Sequence, residues 1–217
     1  MTNTINLILN NLDYFDSTTI ENSFGKSLKQ IKLKDINNMD TIVHDINIIS
    51  QNFIIPQCQE LEWRLKAIES AALKLNKYQK LEKTTNNFYR LNSCLNDLIG
   101  FRIKSNDDKN TLFQELLGQD KFRVVNLLDG KQIDDGYRAL HLYREISGLY
   151  YPVEIQIWFS EDYEYNYWMH KYAYKILSEN KMNSLFKMYK EGRINSEIDF
   201  IKSIESLKEN NNLFSWD

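Results

Sequence analysis

Between Leu98 and Phe159 the apolar residues change spacing, from the roughly 3.6-residue period of helices to the alternation of strands. That switch confines the chain to an architecture in which helices cover a sheet. Leu98–Lys104 (LIGFRIK) and Phe122–Leu128 (FRVVNLL) read as strands around a short helix at Lys109–Leu117, a β-α-β arrangement. Ala139–Ile146 and Tyr151–Phe159 are β-rich and separated by Ser147-Gly148-Leu149-Tyr150, which predicts an antiparallel hairpin. Asp129–Asp135, between Phe122–Leu128 and Ala139–Ile146, reads as a loop.

Helical spacing flanks this block. Val43, Ile46, Ile48, Ile49, Phe53 and Ile54 form a stripe that ends at Pro56, and Leu61, Ile68, Ala72, Leu73 and Leu75 predict a second helix over Gln57–Lys80. Lys83–Asn92 is polar and reads as a loop. From Ser160 the pattern is helical to the end, over about 161–179, 181–190 and 194–209. The expected fold is α+β: a mixed sheet of about four or five strands flanked by helices, with helical N- and C-terminal extensions. Its expected divisions are an N-terminal extension at 1–54, a core at 55–178 and C-terminal helices packed on the core at 179–217.

Composition narrows the function. Seven Gly and two Pro leave little material for a long flexible linker. A formal net charge of −3 argues against a surface that tracks nucleic-acid phosphates over its whole extent. Cys58 and Cys94 are far apart and form no C-x-x-C pair, so free thiols in a reducing compartment are expected. The start, MTNTINLILNNLDYFDS, lacks the basic region and unbroken apolar run of a secretory signal, and no stretch approaches the ~20 apolar residues of a membrane span. These features predict a soluble, cytoplasmic protein without membrane partners.

The last strand carries the chemistry. In Val153-Glu154-Ile155-Gln156-Ile157-Trp158, alternation puts Glu154, Gln156 and Trp158 on one face and the aliphatic residues on the other. The preceding strand sets Ala139, His141 and Tyr143 against Leu140 and Leu142. Such a face is either wetted surface or the floor of a site. Asp97 precedes the strand Leu98–Lys104, where its carboxylate could project into the same cleft. Two carboxylates brought together by adjacent strands suit a divalent cation, as phosphoryl-type transfer requires. Arg64, Lys66, Ser70 and Lys74 would add the cationic side from the predicted 57–80 helix, with 66, 70 and 74 on one face and Arg64 offset. A solvated basic helix face has the same pattern.

Taken together, these segments resemble the RelA/SpoT nucleotidyltransferase domain. Asp135-Gly136-Tyr137-Arg138-Ala139-Leu140-His141-Leu142 followed by Tyr151-Pro152-Val153-Glu154-Ile155-Gln156-Ile157 is similar to that family's G-Y-R-S-L-H … E-I-Q-I signature. Asn96 to Ile103 resembles D-L-x-G-x-R-[IV], and Arg64, Lys66, Ser70 and Lys74 match the spacing R-x-K-x-x-x-S-x-x-x-K. Met169 to Lys175 is similar to the H-x-x-Y-K segment, so the resemblance runs over about 55–178. It implies an ATP-dependent pyrophosphokinase of the small alarmone synthetase kind, which moves the β,γ-diphosphate of ATP to the 3′-hydroxyl of GDP or GTP.

Position by position, the resemblance implies that Arg64 stacks on adenine and that Lys66, Ser70 and Lys74 hold the ATP phosphates. Asp97 would bind Mg²⁺, with Glu154 sharing the metal or acting as base. Tyr137 would stack on the acceptor's guanine, His141 would position its phosphates or ribose, Gln156 would support by hydrogen bonding, and Gly136 would let the loop approach the ligand. Arg102 reads as structural and His170 as a packing histidine. His44-Asp45 resembles half of a hydrolase metal pair, but three histidines in the whole chain cannot furnish that site.

The chain also departs from the family pattern. The K-D-Y-I…P-K stretch is replaced by residues 124–135 with the single Lys131, and E-I-Q-I-R-T becomes Glu154-Ile155-Gln156-Ile157-Trp158-Phe159. Both changes remove positive charge expected around the acceptor's phosphates. Toxic small members of the family, which pyrophosphorylate the 3′ end of tRNA, are therefore an alternative, with tRNA and an antitoxin as partners. A nucleotide-binding module without turnover is a further one. Ile194, Ile198, Ile201, Ile204 and Leu207 would serve packing, an oligomer interface or an antitoxin surface; packing on the chain's own sheet is the expectation.

Overall fold

The computed structural model describes residues 1–36, 39–85 and 87–209. Residues 210–217 of the expected C-terminal segment lie outside the described residues. In chain order the elements are α1 (Asn3–Asn10), α2 (Leu12–Thr18), α3 (Asp40–Asn52), β1 (Glu62–Leu65), α4 (Ile68–Thr85), α5 (Leu91–Cys94), β2 (Ile99–Ser105), α6 (Lys109–Leu117), β3 (Phe122–Asn126), β4 (Leu140–Arg144) and β5 (Val153–Phe159). They continue with α7 (Ser160–Trp168), a π-helical turn at Met169–Ala173, α8 (Glu179–Lys190) and α9 (Glu197–Glu209). The five strands form one mixed sheet in the order β1-β2-β5-β4-β3, so the fold is α+β, as the change of period predicts.

Two compact units make up the chain. Of the described residues, the first comprises those in Met1–Ile103, Asp107–Val125 and His141–Ile157; the second comprises Lys104–Asn106, Asn126–Leu140 and those from Trp158 to Glu209. In the first unit, Ile99, Phe101, Ile103, Val153, Ile155 and Ile157 are buried, as alternation along β2 and β5 requires. Phe15 and Phe101 have ring centroids 4.9 Å apart, so α2 packs on this apolar face. The segment after α2 is pinned to the start of β5: Thr19 Oγ1 donates to the Tyr151 carbonyl at 2.7 Å, and the Tyr151 hydroxyl donates to the fully buried Asp45 at 2.8 Å. Ser23 also donates to Asp45. This carboxylate is therefore a structural anchor of α3, which accounts for Asp45 without hydrolase chemistry.

Several local readings of the sequence differ from the structure, and α4 runs on to Thr85, into the stretch 83–92 read as a loop. No single helix spans 57–80: β1 occupies 62–65 and α4 starts only at Ile68. The reason is the alternation Glu62-Trp63-Arg64-Leu65, a period-2 pattern too short to register against the helical stripe beyond it, and stabilised by antiparallel pairing of Leu65 with Ile99 and Glu62 with Arg102. Although α6 does connect β2 to β3, those strands are not neighbours, because β5 and β4 lie between them.

In the second unit, α7, the π-turn, α8 and α9 enclose an apolar cluster that includes Trp168, Met169, Leu185, Phe200 and Ile204. Ile194 and Ile204 are buried there against other helices and not on the sheet as expected, because α7 and α8 already supply an apolar face, whereas Ile198 is exposed. Cys58 and Cys94 are both free thiols. No helix among the described residues is long and apolar enough to cross a membrane.

Candidate active site

The site is built on the polar face of the sheet within the first unit. β5 directs Glu154 and Gln156 to that face and buries its aliphatic residues on the other. From β4 come His141 and Tyr143, from β2 Gly100 and Arg102, and from β1 Glu62 and Arg64. Asp97 stands in the turn between α5 and β2, where buried Cys94, Leu95 and Leu98 fix the backbone.

These positions bring both carboxylates to one guanidinium. Arg64 Nη2 lies 2.9 Å from Glu154 Oε2 and 3.7 Å from Asp97 Oδ2. Lys66 Nζ donates to Asp97 Oδ2 at 2.8 Å, and Lys74 Nζ donates to Asp97 Oδ1 at 3.0 Å and to Asn96 Oδ1 at 3.1 Å. Arg64 reaches the site from a strand, Lys66 from the turn after it, and only Lys74 from the helix. The one-face helical arrangement expected for 66, 70 and 74 is thus replaced by a strand–turn–helix corner. Ser70 sits half-buried in the first turn of α4.

Glu154 is held on all sides. Its Oε1 meets His141 Nδ1 at 3.0 Å and accepts from the Tyr143 hydroxyl at 3.1 Å, while Gln156 Nε2 donates to Oε2 at 3.0 Å. Because the carboxylate only accepts, Nδ1 must be the protonated ring nitrogen. Arg102 in turn spans Glu62 at 3.2 Å and the Gln156 side-chain oxygen at 3.5 Å, which orients the Gln156 amide. Alternation alone places Tyr143 beside His141; the hydrogen bond to Glu154 is what the sequence did not announce.

The electrostatics follow from this geometry. Burial pushes the Asp97 carboxyl up, but the ammonium groups of Lys74 and Lys66 outweigh it and hold it below its ordinary range. Burial likewise opposes ionisation of Glu154, yet the hydrogen bond and charge of His141, with the Arg64 guanidinium, lower it to about 2. Burial and the Glu154 charge push the Tyr143 hydroxyl up, so it remains a donor at neutral pH. Three permanent cations face two carboxylates whose side chains are only 13% and 5% exposed. Burying such a cluster gains little stability over an apolar one, and its surplus positive charge suits a polyphosphate.

Beside the cluster, Trp63, Arg64, Gly100, Arg102 and Gln156 line a small cleft of about 40 Å³. A Cβ on Gly100 would lie 3.0 Å from Arg64 Nε and 3.1 Å from its Cγ, so the bare strand lets the arginine cross it.

Gly136, Tyr137 and His170 belong to the second unit. Gly136 has φ +84°, and a Cβ there would meet Phe186 at 2.3 Å. Tyr137 is 3% exposed; its hydroxyl accepts from Trp158 Nε1 at 3.1 Å and its ring packs against Trp158 and His170. Lys131 Nζ sits 5.1 Å from the centre of the Tyr137 ring and 2.6 Å from Asp135 Oδ2. His170 lies among Tyr137, Trp158 and Tyr174, the packing role read from the sequence.

No protein-family model matches the sequence, and no curated protein matches it. Solved structures do. The chain is similar to small alarmone synthetase 1 from Bacillus subtilis bound to its product pppGpp, at 21% identity over 71% of this chain and 75% of that one, with a TM-score of 0.35. It is similar to small alarmone synthetase 2 from Bacillus subtilis at 20% identity over 83% and 89%, with a TM-score of 0.33. A GTP pyrophosphokinase family protein from Streptococcus pneumoniae aligns at 16% identity over 83% and 92%, with a TM-score of 0.35.

Proposed function

We propose that the protein is an ATP-dependent pyrophosphokinase that transfers the β,γ-diphosphate of ATP to the 3′-hydroxyl of GDP or GTP. The observation that carries this reading is the convergence of Arg64, Lys66 and Lys74 on Asp97 and Glu154, in the register of the motifs that resemble RelA/SpoT synthetases.

Asp97 presents a hard, ionised oxygen donor, the donor chemistry that Mg²⁺ requires, so it would hold the ion, and Glu154 beside it is left to act as the base. Bound there, Mg²⁺ would neutralise phosphate charge as it develops. Among the described residues no group of three or more His, Cys, Asp or Glu forms a metal cluster, so the remaining ligands would be phosphate oxygens and water.

The chain's own residues divide the other work. Lys66 and Lys74 exchange Asp97 for the ATP phosphates, and Arg64 leaves Glu154 to lie along the adenine plane beside the cleft. The acceptor O3′ attacks the β-phosphorus, the bond from that phosphorus to the α-bridging oxygen breaks, and AMP leaves. Glu154 takes the proton from O3′. Departure of Arg64 removes one cation from Glu154 and raises its proton affinity, the direction a base needs. Gln156, His141 and Tyr143 keep the carboxylate oriented throughout.

The test is incubation with Mg²⁺ and γ-labelled ATP against GDP, GTP, other nucleotides and deacylated tRNA in parallel. Label on the guanine nucleotides is expected. Label on tRNA alone would replace this acceptor with RNA, and ATP binding without any transfer would leave a binding module.

A further inference from the structure

On the polar side of β3 and β4, still within the first unit, the structure has an open cup of about 470 Å³. Its wall carries Lys29, Lys121 and Arg123, together with Asn92 and Ser93. Two acids also line it. Glu145 is paired to Lys29 at 2.6 Å, and Asp120 lies next to Lys121. Among the described residues, neither Lys121 nor Arg123 has a carboxylate within ion-pair distance. Two cations thus stand at one mouth without a carboxylate partner among the described residues.

Tyr143 connects this cup to the reaction centre. Its hydroxyl donates to Glu154 Oε1 at 3.1 Å, and its ring lies under the Arg123 guanidinium, 4.1 Å from carbon to centroid. Stacking on the phenol fixes the guanidinium plane and leaves its edge N–H groups for an anion. An anion at Arg123 and a hydroxyl at Glu154 would therefore be one tyrosine side chain apart, about the span of a sugar. The one lysine of the 126–135 loop, Lys131, is already paired with Asp135.

We infer that the cup holds the 5′-phosphates of the acceptor nucleotide, with Arg123 and Lys121 as their ligands and Tyr143 setting the distance to Glu154. The inference rests on the pyrophosphokinase reading above and adds a phosphate subsite to it.

The experiment compares wild type with Arg123→Gln and Arg123→Gln/Lys121→Gln, exposed positions whose folding is checked by thermal melt. Acceptor KM is measured for GMP, GDP and GTP, together with ATP KM. Loss of charge-assisted bonds should raise GDP and GTP KM about tenfold or more, with GMP less affected and ATP KM within about twofold. Unchanged GDP and GTP KM in an active protein overturns the subsite and leaves the pyrophosphokinase reading intact. Equal weakening of ATP and acceptor also overturns it, since the cup would then serve the wrong nucleotide. Absence of transfer by the wild type to any guanine nucleotide, or transfer to tRNA alone, overturns both.

Discussion

Arg64 Nη2 rests 2.9 Å from Glu154 Oε2, so the arginine expected to face a nucleotide base is held instead by the carboxylate expected to act on the acceptor. The pair holds charges in place that substrate binding must separate. Glu154→Gln keeps the size of the side chain and its donor from Gln156 but removes the charge. Transfer should fall by about 10²–10⁴, the range of a lost general base, while the far-ultraviolet spectrum is unchanged. Asp97→Asn should be equally inactive and less stable, because Lys66 and Lys74 lose a partner at half-buried positions. Single-turnover transfer and thermal melts on both variants check this; retained transfer in either removes that carboxylate from the chemistry.

Gly100→Ala addresses Arg64 without touching a charged group. The added methyl falls 3.0 Å from Nε, tighter than an ordinary contact, and only the flexible arginine can yield. We expect a severalfold rise in ATP KM with stability changed by less than about 1 kcal/mol, since alanine is conformationally compatible with a strand. A melt displaced by much more, with ATP KM unaltered, would mean that the strand rather than the arginine moves.

Which parts of the site were legible in the sequence depends on period. The alternation in β5 and β4 is long enough to assign Glu154, Gln156, His141 and Tyr143 to one face, and the structure has them there. β1 has four residues, of which only Trp63 and Leu65 mark the apolar side, and a helical stripe follows at once. The sequence pattern therefore assigns Arg64 to a helix, although its contact with Glu154 is independent of that assignment. Sheet order was not legible, because β2 and β3 are joined locally by α6 while β5 and β4 separate them through pairings remote in sequence. Arg123 was missed for a different reason. Its stacking on Tyr143 depends on which strands are neighbours, and no spacing along the chain encodes it.

Tyr137 carries two expectations that separate by substitution. Its ring is packed against Trp158 and His170, so Tyr137→Ala should destabilise by about 3 kcal/mol, the scale of a large buried side chain lost. Tyr137→Phe keeps the ring and removes only the acceptor of Trp158 Nε1–H, at about 1 kcal/mol. Urea melts measure both. Tyr137→Phe, which keeps the packed ring, should transfer the diphosphate at near wild-type acceptor KM.

Asp134 gives a pH dependence. The Arg138 hydrogen bond lowers its carboxyl, with burial opposing and the Gly136 N–H assisting. A depressed folded-state value means that this carboxylate stabilises above the ordinary range of an aspartate and loses that contribution as pH falls through the folded value. At 38% exposure solvent screens the pair, which keeps the contribution at about 1 kcal/mol or less. Asp134→Asn should therefore be less stable than wild type at pH 7, with the gap narrowing towards pH 3. A gap constant over that interval would assign the loss to geometry instead of charge.

Gly136 is where the loop before β4 can least tolerate change. Its φ of +84° already disfavours any other residue, and the missing Cβ would stand 2.3 Å from Phe186 Cδ2 and 2.5 Å from Tyr165 Cε1. Those aromatic rings cannot retreat easily, because Tyr165 is buried against Tyr189 and Phe200. Gly136→Ala therefore combines backbone strain with overpacking, and about 2–4 kcal/mol of destabilisation is expected. Phe186→Ala opens the nearer contact but leaves φ unchanged. Adding it to Gly136→Ala should recover the packing part alone, so the double variant should cost less than the sum of the singles. Strict additivity in urea melts would show that the two positions act independently and that backbone conformation by itself demands glycine.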